Sequence, residues 1–381
     1  MHLTATAAQD EFRAEARDWL RGNRPLGPMP SGESREGFAT HVQWERKLFD
    51  AGLAAVSWPV RFGGRDLDLW HWLIFEEEYY AAGLPQRVAQ NGIFLLAPSL
   101  FEFGTNTQQA RFLRRIAAVE DMWCQGWSEP ESGSDLASIR SRAVRDEKAR
   151  GWRLFGQKCW STRGAFSNRM FGIFRTGELS ERHRGLTYFL VDLVQPGVEV
   201  RPVAKFDGDD GFADVFFDGA FVGDDDVLGG VGNGWTVAMA TAGSERSLSL
   251  RSPGRFLATA QRLIQAYRAA PEAVRLDARR RARVADGWMA AHAYKLATER
   301  TVTGLVGGAR LGAEASLSKV FWSELDIELH DVALDLKCAD ADLDDDWMRG
   351  FVFALSGPIY AGTNQIQRNI IAERLLGLPR R

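Results

Sequence analysis

Two short stretches of this sequence carry residue types that could do chemistry. The first is Ser128-Glu129-Pro130-Glu131-Ser132-Gly133-Ser134-Asp135, three serines around one glycine. Backbone N–H groups and short hydroxyls at such a turn can form an anion-binding concavity. The second is Gly156-Gln157-Lys158-Cys159-Trp160-Ser161-Thr162, which reads as another turn and sets a large flat ring beside two hydroxyls. A strand-like span joins them. Taken singly, each is ordinary: Ser-Gly-Ser is a common turn, and a tryptophan near a strand end is commonly core. Together, a phosphate cradle and an aromatic wall at fixed separation suit a ligand that is both flat and phosphorylated.

The elements that must hold these stretches change character along the chain. Thr6-Ala7-Ala8-Gln9 is a capping-box pattern and sets a helix start near Ala7. Phe12, Ala16, Trp19 and Leu20 then fall on one helical face. Residues 23–33 are rich in Gly, Pro and Ser and read as a loop. Helical pattern resumes over Val42–Ala51, passes a Trp58-Pro59…Gly63-Gly64 turn cluster, continues in a helix carrying Glu76, Glu77 and Glu78, and returns over Phe101–Ile116. Near Met122 it gives way to short β-branched or aromatic runs: Trp152–Phe155, Met170–Arg175, Leu186–Leu193, Val198–Val203 and Ala213–Val222. That spacing suits a small barrel or sandwich. A glycine-rich link, Leu228–Trp235, ends it. Helical period returns with Phe256, Leu257, Ala260, Leu263, Ile264 and Tyr267, and again with Ile366, Ile370 and Ile371, closed by Gly377 and Pro379. The expected fold is α+β and multidomain, with helices at 1–121, a β-barrel at 122–233 and helices at 234–381.

Composition sets outer bounds. The 381 residues are 45% hydrophobic and 25% charged, with net charge −3, an ordinary globular balance that makes no general case for nucleic acid. The longest apolar run, near Ile93–Phe101, is broken by Pro98 and is too short for a membrane span. No basic-then-apolar leader precedes the first helix. Cys124, Cys159 and Cys338 are too few and too scattered for a disulfide framework or a zinc site. A cytoplasmic chain without a metal is the expectation.

The two turns in this order and spacing, the Trp-Pro…Gly-Gly turn and the helix–β–helix succession resemble the acyl-CoA dehydrogenase family over nearly the whole chain. The resemblance implies an N-terminal helical domain, a central β-barrel, a C-terminal four-helix bundle and bound FAD. By it, Ser128 hydrogen-bonds the flavin ring, Gly133 and Ser134 meet the pyrophosphate, Trp160 flanks the ring and Thr162 reaches N5. Thr363 and Gln365 match residues that reach the adenosine half; read alone, Thr363 is an ordinary helix cap. The implied reaction is α,β-desaturation of an acyl-CoA thioester. A carboxylate removes the α-proton while the β-hydrogen leaves as hydride, and N–H donors hold the thioester oxygen.

One departure bears on the base. The commonest family base is the Glu of Tyr-Glu-Gly-Thr, and here the stretch is Tyr360-Ala361-Gly362-Thr363. Ala361 cannot accept a proton, although its backbone N–H keeps the donor to the thioester oxygen. A second family position, the isovaleryl type, is a Glu immediately before an Arg just after the β domain. Ser244-Glu245-Arg246 matches it, which makes Glu245 the candidate base and Arg246 its substrate-side neighbour. A base there frees space near Ala361 and suits branched or bulky acyl groups, steroid side chains among them. Gly243, Ser244, Ser247 and Ser249 either line a roomy pocket or pack helices.

Another departure bears on assembly. Family homotetramers carry Arg-x-x-Phe-Gly and Gln-x-x-Gly-Gly stretches that reach a neighbour's FAD. Here those regions are a basic run, Arg275–Arg283, and an acidic run, Ala339–Trp347. The basic run reads as a solvated helix face. The losses point to a tetramer, specifically a heterotetramer with a related chain that supplies the missing contacts, as in some actinobacterial enzymes of steroid side-chain breakdown. An electron-transfer flavoprotein is the acceptor the resemblance implies. Two other readings share the fold: a flavin monooxygenase, which lacks the catalytic Glu, and a non-catalytic subunit of a heteromeric dehydrogenase.

Overall fold

The computed structural model describes residues 5–246, 252–309, 311–337 and 345–379, without the side chains of residues 244–246. The helices are α1 (Ala7–Asn23), α2 (Arg35–Asp50), α3 (Leu69–Ala81), α4 (Ala97–Phe103) and α5 (Asn106–Ala117) before the sheet. The strands are β1 (Trp123–Gly126), β2 (Arg142–Asp146), β3 (Gly151–Ser161), β4 (Arg169–Arg175), β5 (Leu186–Asp192), β6 (Val198–Val203), β7 (Phe212–Gly223) and β8 (Val227–Leu228). After them come α6 (Gly234–Arg246), α7 (Pro253–Ala269), α8 (Glu272–Leu276), α9 (Ala278–Val306), α10 (Glu314–Lys337), α11 (Asp346–Ala354) and α12 (Asn364–Ile370).

The chain gathers into two compact units. One comprises Met1–Leu26, Leu67–Pro85 and Arg246–Arg381; the other comprises Gly27–Asp66 and Gln86–Glu245.

The first unit is helical. Thr6 and Gln9 form the expected reciprocal cap on α1, which buries Phe12, Ala16 and Leu20. Arg13 and Arg17 of α1 both reach Glu78 of α3 at 2.8 Å. The backbones of α3 and α7 nearly touch: a Cβ added at Gly254 would lie 2.7 Å from the Glu76 carbonyl oxygen. Phe256, Leu263, Tyr294, Trp322 and Leu329 fill the core between α7, α9 and α10. Each such side chain contributes about 1.5–3 kcal/mol when fully buried. The basic run opens α9, and it is not merely a solvated face. Arg280 reaches Asp335 at 3.1 Å, and Arg283 reaches Glu328 at 2.9 Å and Asp331 at 2.6 Å, all on α10. On α12 the buried residues are Asn364 and Gln367, while Ile366, Ile370 and Ile371 are only half-buried. The expected isoleucine face is therefore only partly covered, and the fully buried positions of α12 are polar.

The second unit holds one eight-stranded sheet in the order β6-β7-β3-β2-β4-β5-β8, with β1 added to β4. Pairing is antiparallel except at β1–β4 and β2–β4. In a flat sheet β7 and β4, three strands apart, would be separated by about 14 Å. Yet the rings of Phe217 and Phe174 meet edge to face at 5.2 Å. The sheet is therefore rolled, and Met170, Phe174, Phe189, Val191, Val215 and Phe217 fill its inside. The span expected as one helix over Phe101–Ile116 is two, α4 and α5. Gly104 stops α4, and Thr105 with Gln108 caps α5.

Candidate active site

β1 runs out of the sheet at Gly126 into the hydroxyl-rich turn. Glu129 N donates to Ser132 O at 2.9 Å and Ser132 N to Glu129 O at 3.0 Å, so the turn closes on itself. The hydroxyls of Ser132 and Ser138 lie 2.9 Å apart. Gly133 and Ser134 are left exposed at the tip, and a Cβ at Gly133 would meet nothing within 4 Å. That is an open rim with backbone and hydroxyl donors, the chemistry a diphosphate needs.

The second stretch is not a turn but the bulged end of β3. Gly156 has φ +126° and Trp160 has φ +58°, and the β3–β7 register slips between Lys158 and Ser161. A bulge re-aims the side chain it carries. Here it leaves the Trp160 indole 65% exposed, edge-on to Phe212 at 6.3 Å. The neighbouring Cys159 N donates to Ser128 O at 2.9 Å, which sets Ser128 directly beside Trp160. Thr162 is half-buried, and its carbonyl accepts from Asn91 Nδ2 at 3.3 Å. The Ser161 hydroxyl and the Trp127 indole N–H are buried with no partner among the described residues. An exposed flat ring, an open Gly-Ser rim and unmet donors fit a flavin dinucleotide.

No motif in the sequence marks Glu129 and Lys158, the glutamate and lysine within these two stretches. Glu129 accepts from Arg140 N at 2.6 Å, Ser141 N at 2.9 Å and Lys158 Nζ at 2.8 Å. Burial opposes its charge, but Lys158 and the two amides outweigh that and hold it below the usual carboxylate range. Burial pulls Lys158 below the usual lysine range, with Glu129 pulling back. Their sign in the sequence is register: Lys158 falls on the inward phase of Trp152 and Leu154, where an unpaired lysine would not be tolerated. Burial pushes the Cys159 thiol up to about 11, so it is no nucleophile.

Glu245 and Arg246 form the C-terminal end of α6, and their side chains lie outside the described residues, as do Ser247, Ser249 and most of the acidic run. Ala361, Thr363 and Gln365 belong to the helical unit. Ala361 is left-handed, with φ +57°. The Thr363 hydroxyl accepts from Ile366 N at 3.2 Å, the capping role, and Gln365 is exposed. Among the described residues no cluster of three His, Cys, Asp or Glu side chains could hold a metal, and no helix is long and apolar enough to cross a membrane.

Comparison with known proteins covers the chain almost end to end. The profile of the acyl-CoA dehydrogenase N-terminal domain matches residues 6–120, that of the middle domain 124–220 and that of the C-terminal domain 232–376. The acyl-CoA dehydrogenase IpdE1 of Mycolicibacterium smegmatis is 39% identical, over 97% of this chain and 98% of its own. The ChsE4–ChsE5 complex from Mycobacterium tuberculosis superimposes with a TM-score of 0.83 at 25% identity, over 100% of both chains. A steroid ACAD, Tcur3481–Tcur3483, gives a TM-score of 0.87 at 22% identity over 100% of both chains, a likeness of fold.

Proposed function

The chain belongs to the acyl-CoA dehydrogenase family, and we propose that within it Glu245 is the base that starts desaturation. The protein is an FAD-dependent acyl-CoA dehydrogenase. The observation that carries the finer reading is the residue at 361: an alanine stands where the commonest family base would be, while Glu245-Arg246 ends α6.

In this reading the Glu245 carboxylate takes the α-proton of the thioester and Arg246 lies on the substrate side. The Ala361 N–H donates to the thioester oxygen as charge builds there. Ser128, Gly133, Ser134, Trp160 and Thr162 hold and orient the flavin end of the cofactor, and Thr363 and Gln365 serve the adenosine half. When bound, FAD supplies the two-electron acceptor for the β-hydrogen. The domain limits of the proposal are 1–121, 122–233 and 234–381.

The substrate we propose is a branched or bulky acyl-CoA, a steroid side chain being the preferred case, since Ala361 leaves room that a glutamate would fill. The proposed assembly is a tetramer, and specifically a heterotetramer. Arg280 and Arg283 are engaged by α10 of their own chain, and a solved relative, ChsE4–ChsE5, is itself a complex of two chains. Electron-transfer flavoprotein as acceptor and a cytoplasmic location complete the reading.

The test is Glu245→Gln, read by anaerobic bleaching of the flavin band with a panel of acyl-CoAs. Loss of bleaching by about 10²–10⁴-fold with FAD still bound is the expected result. An unchanged rate would remove Glu245 from the mechanism.

A further inference from the structure

Trp160, Ser161 and Thr162 are bracketed along the chain by two buried basic residues. Each is tied to a glutamate from elsewhere in the same unit. Lys158 is 0% exposed and its Nζ lies 2.8 Å from Glu129. Arg163 has a side chain 7% exposed, and its Nη2 lies 2.8 Å from Glu33, in the loop that precedes α2. Between and beside these anchors the backbone is irregular. Trp160 at φ +58° and Arg163 at φ +55° are both left-handed without being glycine. Such conformations are costly and persist where the surroundings impose them.

Fold stability does not account for the two pairs. A buried ion pair is about as stable as the apolar side chains that could replace it. Arg163 also keeps its Nε and Nη1 N–H groups buried with no partner among the described residues, which stability alone would select against. Their geometry is more informative. The Glu129 carboxylate joins the start of the hydroxyl turn to its exit at Arg140 and Ser141 and to β3 at Lys158. Glu33 joins the loop before α2 to the residue that follows Thr162, and a Cβ at Gly211 would lie 2.4 Å from its Oε2. The four residues between the anchors, Cys159–Thr162, therefore cannot shift without breaking one pair or the other.

We propose that the Glu129–Lys158 and Glu33–Arg163 pairs are positioning residues for FAD, clamping the short segment between them so that the Trp160 indole and the Thr162 hydroxyl meet the ring at a fixed angle. The inference rests on the reading of Trp160 and Thr162 as flavin-facing residues. Neither pair touches the reacting atoms; each acts through the segment it holds.

The test uses the FAD-loaded full chain, co-expressed with a related chain if loading requires one. The variants are Glu129→Gln with Lys158→Met, and Glu33→Gln with Arg163→Met. Each removes both charges of a pair and so strands none. The Glu33→Gln with Arg163→Met variant is expected to melt close to the unsubstituted protein. In Glu129→Gln the new NH2 faces one of the two backbone amides that the carboxylate accepted, so that variant is expected to melt lower while remaining folded. The FAD dissociation constant should rise at least ~10-fold, about 1.4 kcal/mol, and the visible circular dichroism of the flavin should fall. Trp160→Ala runs alongside. If Trp160→Ala alters affinity and dichroism while a folded paired variant alters neither, the positioning role is overturned. If Trp160→Ala also changes nothing, the flavin-facing reading fails and takes the clamp with it. The two pairs are separate, so one folded paired variant suffices.

Discussion

The side-chain amide of Gln367 donates to two successive carbonyls, that of Ala361 at 3.2 Å and that of Gly362 at 3.3 Å. Both acceptors are left-handed, at φ +57° and +78°. For the alanine that conformation costs about 1–2 kcal/mol, and the fully buried Gln367 holds the loop there. Gln367→Leu should lower stability by about 1–3 kcal/mol in urea unfolding. Ala361→Gly relieves the strain but frees the unfolded chain by about 0.5–1 kcal/mol, so its midpoint should barely move. A Gln367→Leu midpoint equal to that of the parent protein would show that the loop keeps its shape unaided.

The proposed shift of the base makes position 361 a place to put it back. Ala361→Glu in the Glu245→Gln background should recover part of the ~10²–10⁴-fold loss. The measurement is flavin bleaching by a straight-chain acyl-CoA, which leaves room for the new side chain. Bleaching no faster than in Glu245→Gln alone would count against a substrate α-carbon within reach of residue 361.

Glu45 should make stability depend on pH in an unusual direction. It is buried, and it accepts from the amides of Val88 and, at 3.1 Å, Ala89. Burial pushes its pKa from 4.5 to about 7, against the pull of Arg87 and the two amides. The folded state thus holds the proton more tightly than the unfolded one. This contribution is fully present below pH 4.5 and is lost as pH rises through about 7, to the extent of roughly 3 kcal/mol at 1.36 kcal/mol per unit. Glu45→Gln should remove that slope. Urea midpoints of the two proteins that run parallel from pH 4.5 to 8 would refute it.

Gly254→Ala should cost about 1–3 kcal/mol. The new methyl would stand 2.7 Å from the Glu76 carbonyl oxygen and 2.9 Å from Glu77 Cα, and backbone cannot step aside as a flexible side chain can. A thermal midpoint unchanged by this substitution would mean that α3 and α7 have slack at their crossing.

What the sequence conveys, and what it withholds, follows from the range of the forces. The α1 cap is local, since Thr6 and Gln9 are three residues apart, and the structure has it. The run over Phe101–Ile116 has helical pattern throughout, so the break at Gly104 is easily passed over; the Thr105 and Gln108 cap is the sign that was there. Gly156–Ser161 has turn composition, yet β7 pairs with it, and pairing to residues more than fifty positions away overrides local preference. Ser128, Gly133 and Trp160 stand out in the sequence as candidates because hydroxyls, glycines and large rings are visible by type, while the exposure of Trp160 is visible only in the fold. Glu33 and Arg163 do not stand out, because an ion pair is visible only once both ends are in place.

The division of the chain has a consequence for its synthesis. Helices α1 and α3 belong with α7, α9 and α10, yet the whole sheet is encoded between Ala81 and Pro253. A ribosome adding about 5–20 residues per second needs on the order of ten seconds or more to cover that interval. Throughout it, α1 and α3 carry an apolar flank whose partners on α7, α9 and α10 do not yet exist. The sheet unit can close during the wait, because all its strands are made by then. Helices α1 and α3 are therefore made before the sheet but covered only after it. They mark the interval in which this protein would most depend on a chaperone.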